Sequence, residues 1–100
     1  MLLRQIKYFV SIIDCNSFTE AAEQCFISQS AISQQIDALE SELGVKLINR
    51  DGRKFTITAA GEYFYKRGKI LLQDAEKVKV ETIRIGTDEE TILTVPQHLL

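Results

Sequence analysis

The segment SFTEAAEQCFISQSAISQQIDALESEL, residues 17–43, decides the fold. Ser17 and Glu20 have the spacing of a capping box, in which the two side chains bond free N–H groups at the start of a helix. Apolar residues then recur at i, i+3, i+4 and i+7, which predicts a short amphipathic helix. These residues are Phe18, Ala21, Ala22 and Cys25.

A second helix is predicted directly after the first. Ser28 is a residue type that caps helix starts, and Gly44 is one that ends helices. Between them the apolar residues are spaced 4, 3 and 4 apart, at Ile32, Ile36, Leu39 and Leu43. Small alanines in the first helix allow the second to cross it closely. Two helices joined by so short a turn predict a helix-turn-helix, here at about 18–37.

The outward face of the second helix carries mainly hydroxyl and amide side chains: Gln29, Ser30, Ser33, Gln34 and Asp37. Glutamine can bond adenine bidentately in the major groove, and serine can donate or accept. Such residues also serve simply to solvate a surface helix, so composition leaves both interpretations open. The helix-turn-helix favours base recognition, because its second helix normally lies in the major groove.

Length and composition predict one small folded domain. The 100 residues are 45% hydrophobic and 26% charged. No apolar run approaches the ~20 residues of a membrane span, and no secretory signal is recognisable, so a cytoplasmic location is expected. Cys15 and Cys25 are therefore predicted to be reduced thiols. Because His98 is the sole histidine, no metal site or cofactor is predicted.

Charge is distributed unevenly along the chain, whose overall net charge is −2. Residues 1–45 carry two basic and six acidic side chains, whereas residues 46–69 carry seven basic and two acidic ones. Positive charge is thus concentrated directly after the helix-turn-helix, where contacts with backbone phosphates would be useful.

Two more elements complete the predicted domain, residues 1–58. A helix over residues 3–14 has Ile6, Phe9, Val10 and Ile13 on one face and should cover the back of the helix-turn-helix. Residues 46–57 form a predicted hairpin, or wing, with a type I′ turn at Asp51-Gly52. Phe55 and Ile57 should point inward. The basic side chains near the tip are Arg50, Arg53 and Lys54, predicted to contact phosphates or the minor groove; a solvated turn is the alternative.

Thr58 can cap a long helix, predicted over residues 59–81. One seam has coiled-coil spacing and is predicted to form a dimer interface. It consists of Phe64, Gly68, Leu71, Ala75 and Val78. Residues 83–87 are predicted to be a short strand that opens a larger unit, so that residues 82–100 begin a second domain.

Residues 1–81 resemble the DNA-binding domain and linker helix of LysR-type bacterial transcriptional regulators. The residues that carry the resemblance are Phe18-Thr19, Ala21-Ala22, Ser28-Gln29-Ser30-Ala31-Ile32-Ser33, Ile36-Asp37-Ala38-Leu39-Glu40, Leu43-Gly44, Leu47, Arg50 and Thr58-Ala59-Ala60-Gly61. The segment 83–87 is similar to the first strand of that family's effector-binding domain.

The resemblance implies a mainly α fold: a winged helix-turn-helix of three helices and a small hairpin, followed by a dimerisation helix. It implies a homodimer that regulates nearby genes in response to a small-molecule inducer, bound by the effector domain. It places Gln29, Ser30, Ser33 and Gln34 in the major groove and Arg53 in or near the minor groove. Gln34 stands where the family often has arginine, and glutamine at this position favours adenine over guanine. Phe26 replaces a residue that is commonly polar.

The favoured function is therefore sequence-specific binding of double-stranded DNA at an inverted repeat. The alternative is a helical dimerisation or adaptor module that uses residues 59–81 and does not bind DNA. An enzyme is not expected, because the sequence has no nucleophile–base set, metal cluster or phosphate-binding glycine loop. A redox sensor using Cys15 and Cys25 is a weaker alternative.

Overall fold

Side-chain caps and apolar spacing account for the first three helices, α1 (Leu3–Cys15), α2 (Phe18–Gln24) and α3 (Gln29–Leu43). The computed structural model describes residues 1–52 and 54–88. Ser17 Oγ accepts the N–H of Glu20 at 3.1 Å, and Ser28 Oγ accepts that of Ala31 at 3.0 Å. Both predicted helix starts are therefore confirmed. The reciprocal half of the predicted capping box is not formed, because the N–H of Ser17 bonds the carbonyl of Ile12 and not the side chain of Glu20. Gly44, with φ +72°, ends α3 as predicted.

One apolar core forms where these three helices meet. Its largest fully buried side chains are Phe9, Ile12, Ile32, Ile36, Leu39 and Leu47. Ala21 and Ala22 are also buried, as expected for a close contact between α2 and its neighbours. Two positions differ from the expectation. Ile12 is buried more completely than Ile13, and Leu43, in the last turn of α3, is 39% exposed.

A charged side chain in this core joins α3 to the segment that follows it. Glu40 is only 6% exposed, and its Oε2 accepts the N–H groups of Leu47 at 2.7 Å and Ile48 at 3.2 Å. Lys46 Nζ lies 3.7 Å from the other carboxylate oxygen. Hydrogen bonds to a charged acceptor are stronger than neutral ones, so Glu40 fixes where the wing begins.

The wing is an antiparallel hairpin of β1 (Ile48–Asp51) and β2 (Lys54–Ile57), with Ile48 opposite Ile57. The turn begins one residue later than predicted. Asp51 completes the ladder by pairing with Lys54, and Gly52 has the positive φ of +62°. Phe55 and Ile57 are half-buried and pack against the core, as expected.

Helix α4 (Ala59–Thr87) has 29 residues and is about 43 Å long. Thr58 Oγ1 accepts the N–H of Gly61 at 2.9 Å, which confirms this cap. The predicted strand at 83–87 is wrong, because the helix continues to Thr87. A lone strand there would lack a partner for its backbone groups in the part of the chain the structure describes, whereas a helix pairs them locally. Residues 89–100, the rest of the predicted second domain, lie outside the described residues.

The first half of α4 packs against α1 of the same chain. Phe64 meets Phe9 edge to face, with ring centroids 5.3 Å apart. Gly68 is buried, and a Cβ there would lie 2.8 Å from Ile6 Cγ2, so the close approach requires glycine. These two seam residues were predicted to meet a partner helix. The structure corrects that prediction, because α1 already covers this part of α4.

A polar contact fixes the same two helices at the other end of α1. The Tyr65 hydroxyl donates to Asp14, and Lys69 Nζ lies 2.9 Å from the Tyr65 oxygen and 3.4 Å from Asp14. The hydrogen bonds to Tyr65 and Asp14 raise the pKa of Lys69.

None of the helices in residues 1–52 and 54–88 is long and apolar enough to cross a membrane.

We expect Glu40→Gln to lower the free energy of unfolding by about 1–3 kcal/mol. The amide oxygen can take the place of Oε2 and accept both backbone N–H groups, but these become weaker bonds to a neutral acceptor, and the N–H₂ group replaces the oxygen that faces Lys46 Nζ. Glu42→Gln is the matched control on the same helix, since its carboxylate is exposed and should change stability by less than about 0.5 kcal/mol. Urea denaturation measures both; equal small effects would contradict the role given to Glu40.

Candidate nucleic-acid interface

The polar face of α3 points away from the core because the buried residues occupy the other side. Ile32 and Ile36 are fully buried, and Gln29, Ser30 and Gln34 are exposed. Ser33 is half-buried and Asp37 is exposed. The four side chains predicted to read bases therefore lie along the first half of one helix, on or at the edge of its open surface.

A cleft of about 810 Å³ lies between the start of α2, the start of α3 and the wing. Its lining is mainly polar, with one phenylalanine from α2 and one from β2: Asn16, Ser17, Phe18, Thr19, Gln29, Ser33, Arg50, Gly52, Lys54 and Phe55. The fold thus brings Gln29, Ser33, Arg50 and Lys54, separated by up to 25 positions in the chain, to one concave surface.

Arg50 was predicted to be one of the basic residues at the wing tip that contact DNA, and in the structure its side chain contacts α2 and α3. Its Nη1 donates to Ser33 Oγ at 2.6 Å, and its Nη2 lies 3.4 Å from Asp37 Oδ1. The guanidinium carbon stands 4.4 Å from the centroid of the Phe18 ring, in cation–π geometry. Phe18 in turn meets Phe55 of β2 edge to face at 5.4 Å. Together these contacts of Arg50, Phe18 and Phe55 join the wing to the helix-turn-helix.

Other polar groups have simpler surroundings. The Thr19 hydroxyl, on the first turn of α2, donates to Gln29 Oε1 at 3.2 Å, a contact that the sequence did not indicate. Lys54 is exposed at the start of β2 and lines the cleft. Arg53 lies outside the described residues. The side chain of Gln34 makes no hydrogen bond to another described residue.

Phe26 lies in the turn between α2 and α3 and has an unusual backbone conformation. Its φ is +60°, in the left-handed region that a side chain disfavours, and it is 94% exposed. An aromatic side chain in solvent gains no burial that would offset this cost. Phe26, which replaces a residue that is commonly polar in the family, is therefore strained and exposed beside the start of α3.

The two cysteines are free thiols, and both are half-buried. Burial raises the pKa of the Cys15 thiol, and the nearby carboxylates of Glu20 and Asp14 raise it further. Less thiolate then exists at neutral pH, which lowers reactivity toward oxidants. Cys25 Sγ contacts Ser11 Oγ at 3.6 Å. The raised pKa of the Cys15 thiol argues against the redox-sensor alternative.

The remaining seam residues lie in the middle of α4, between residues 71 and 78. Leu71 is 45% exposed, Val78 is 68% exposed, and Ala75 is half-buried. Ala75 and Leu72 line a shallow groove beside Leu3 and Lys7 of α1. The predicted seam is therefore divided, since Phe64 and Gly68 are used within the chain and Leu71 and Val78 are open.

Three helices, a hairpin packed beside them and an open polar face on the third helix define a winged helix-turn-helix protein. Residues 3–62 match the family model described as bacterial regulatory helix-turn-helix protein, lysR family. The chain belongs to this family.

Similar proteins are transcriptional regulators. The chain is 39% identical over 92 residues to the HTH-type transcriptional regulator BenM of Acinetobacter baylyi, which covers 92% of this chain and 30% of that protein. It is 41% identical over 95 residues to the Hca operon transcriptional activator HcaR of Escherichia coli, covering 95% and 32%. The chain thus spans less than a third of the length of these two relatives.

Solved structures include DNA complexes. The BenM DNA-binding domain bound to catB site 1 DNA superimposes with a TM-score of 0.82 at 38% identity, covering 86% of this chain and 96% of that one. The complex of the CbnR DNA-binding domain with DNA gives a TM-score of 0.79 at 32% identity, covering 86% and 99%.

Proposed function

We propose that this chain is the DNA-binding part of a transcriptional regulator and binds double-stranded DNA sequence-specifically, with α3 in the major groove and the wing against the backbone. The observation that carries the proposal is the open face of Gln29, Ser30 and Gln34 on a helix held by its buried opposite side. Relatives that superimpose on this chain are DNA complexes, which supports the same use of the surface here.

Each element has a distinct role in the proposal. Gln34 has both an amide oxygen and an amide N–H₂ without an intramolecular partner among the described residues, so it suits bidentate contact with adenine. Lys54 is an exposed cation at the wing and suits a phosphate, as does Arg53 at a groove edge. Phosphate contacts position the protein, whereas base contacts give specificity.

A homodimer is part of the proposal. Leu71 and Val78 form an open apolar strip in the middle of α4, and a second copy of the helix would cover it. Two copies would present two α3 helices to an inverted repeat. The chain spans less than a third of its curated relatives, and a small-molecule inducer would act through an effector-binding domain and not through the winged helix-turn-helix. The site of action would be the cytoplasm, and the role is regulatory and not enzymatic.

Titration with DNA at several salt concentrations separates this function from an adaptor that uses only α4. Phosphate contacts release counterions, so affinity should fall steeply with salt. We expect Lys54→Ala to weaken binding to all sequences alike and to reduce the salt slope by about one phosphate contact. Lys77→Ala removes the same charge from α4 and should leave the slope unchanged. Absence of any salt-dependent DNA binding would favour the adaptor.

We expect Gln34→Arg to shift one base-pair position in each half-site from A·T toward G·C, because arginine favours O6 and N7 of guanine. Discrimination by a bidentate contact is about 1–3 kcal/mol. Stability should be nearly unchanged, since Gln34 is exposed. Gln73→Arg on α4 is the control for added charge. Selection from random duplexes measures the preference, and identical selected sites for Gln34→Arg and wild type would mean that Gln34 does not contact bases.

We expect Leu71→Glu to convert the dimer into monomers, because it would bury an unpaired carboxylate at the helix–helix contact. Gln73→Glu adds the same charge to another face of α4 and should leave the dimer intact. Sedimentation equilibrium gives the mass of each variant. A Leu71→Glu protein that remains dimeric would show that this strip is not the interface.

A further inference from the structure

We propose that Arg50 determines specificity by positioning and polarising Ser33, and does not act as a phosphate contact. The inference rests on the proposed function, because it assigns Ser33 a hydrogen-bonding role at the base edges. It changes the role of Arg50, which the sequence grouped with the basic wing tip.

The hydrogen-bond chemistry of the pair has one direction. A guanidinium has only donors, so at 2.6 Å the Ser33 oxygen must accept from Arg50 Nη1. The hydroxyl hydrogen of Ser33 is then left for another acceptor. In α4, by contrast, Thr82 and Thr87 donate to the carbonyls four residues back, and the described contacts of Ser33 include no such bond.

Several contacts hold the guanidinium in place. Asp37 lies 3.4 Å from Nη2, and the ring of Phe18 lies 4.4 Å from the guanidinium carbon. Arg50 stands opposite Phe55 in the strand register, and Phe55 packs edge to face on Phe18. A side chain that swung out toward a phosphate would give up its contacts with Ser33, Asp37 and the Phe18 ring. Its geometry therefore favours the intramolecular role.

The consequence is a preference for base acceptors at one position. With its oxygen occupied by a cation, Ser33 is a better donor and a poorer acceptor. The base edge opposite it should present an acceptor, which is O6 or N7 of guanine, N7 of adenine or O4 of thymine, in preference to the amino group of cytosine or adenine. One hydrogen bond of this kind corresponds to about two- to tenfold discrimination.

Random-site selection on four proteins tests the inference: wild type, Arg50→Lys, Ser33→Ala and the double variant. Lysine keeps the positive charge but lacks the planar fork that contacts Ser33 and Asp37 together. We expect both single variants to lose the same two- to tenfold preference at one position per half-site, and the double variant to lose no more. The salt slope of Arg50→Lys should match that of wild type.

The outcomes are distinct. If Arg50 is a phosphate contact, Arg50→Lys will select the same sites as wild type, and that result overturns the inference alone. Thermal melting checks folding; if Arg50→Lys is unfolded, Asp37→Asn replaces it, because this change removes the carboxylate that holds the guanidinium. Sites unchanged by Asp37→Asn would likewise overturn it. A wild-type chain that selects no common sequence would refute the proposed function itself.

Discussion

Burial of Ile32, Ile36 and Leu39 is the constraint on which the rest of the structure depends. Each is fully buried against α1 and α2, so the rotation of α3 about its own axis is set by the core. A helix turns about 100° per residue, so Gln34 and Asp37 face outward, and Ser33 lies at the edge of the open face. The core thus sets which positions of α3 are open, while Arg50 and Thr19 bond two of the polar side chains there, Ser33 and Gln29.

The end of the same helix determines where the wing lies. Glu40 is buried one turn before the end of α3 and bonds the first backbone N–H groups of the wing, while Arg50 joins β1 to the middle of α3. A hairpin of two four-residue strands has little stability alone. Contacts at both ends with one helix give the wing a defined position beside the polar face. Helix and wing can then approach a duplex as one rigid surface.

Several of the basic side chains in residues 46–69 are paired with carboxylates of the same chain, so the net charge of this segment overstates the positive charge that is free to bind phosphates. Of its six described basic residues, Lys46, Arg50 and Lys69 lie within 4 Å of a carboxylate in the same chain. Lys54 is an exposed cation at the cleft, so the described residues offer phosphates few unpaired cations there. Affinity built from few contacts per copy is consistent with the proposed dimer, which doubles them.

Local signals in the sequence predicted local structure well. Ser17, Ser28, Thr58 and Gly44 cap or end helices as expected, because these bonds span three or four residues and need no tertiary context. Errors arose where distant residues decide. The alternating residues at 83–87 would form a strand only beside a neighbouring strand. Gly68 allows another helix to approach closely, but residue spacing cannot specify that this helix is α1 of the same chain. The roles of Glu40, Arg50 and Thr19 depend on partners 7 to 17 positions away.

NMR titration of the isotopically labelled chain with a duplex carrying its selected site would test the central claim most directly. We predict that the amide resonances of residues 28–34 and of the wing shift on binding. Amide resonances in the second half of α4 should shift only if the fraction of dimer changes, and they should not shift when the protein concentration is held equal. Shifts confined to α4, with the α3 face unchanged, would contradict the central claim.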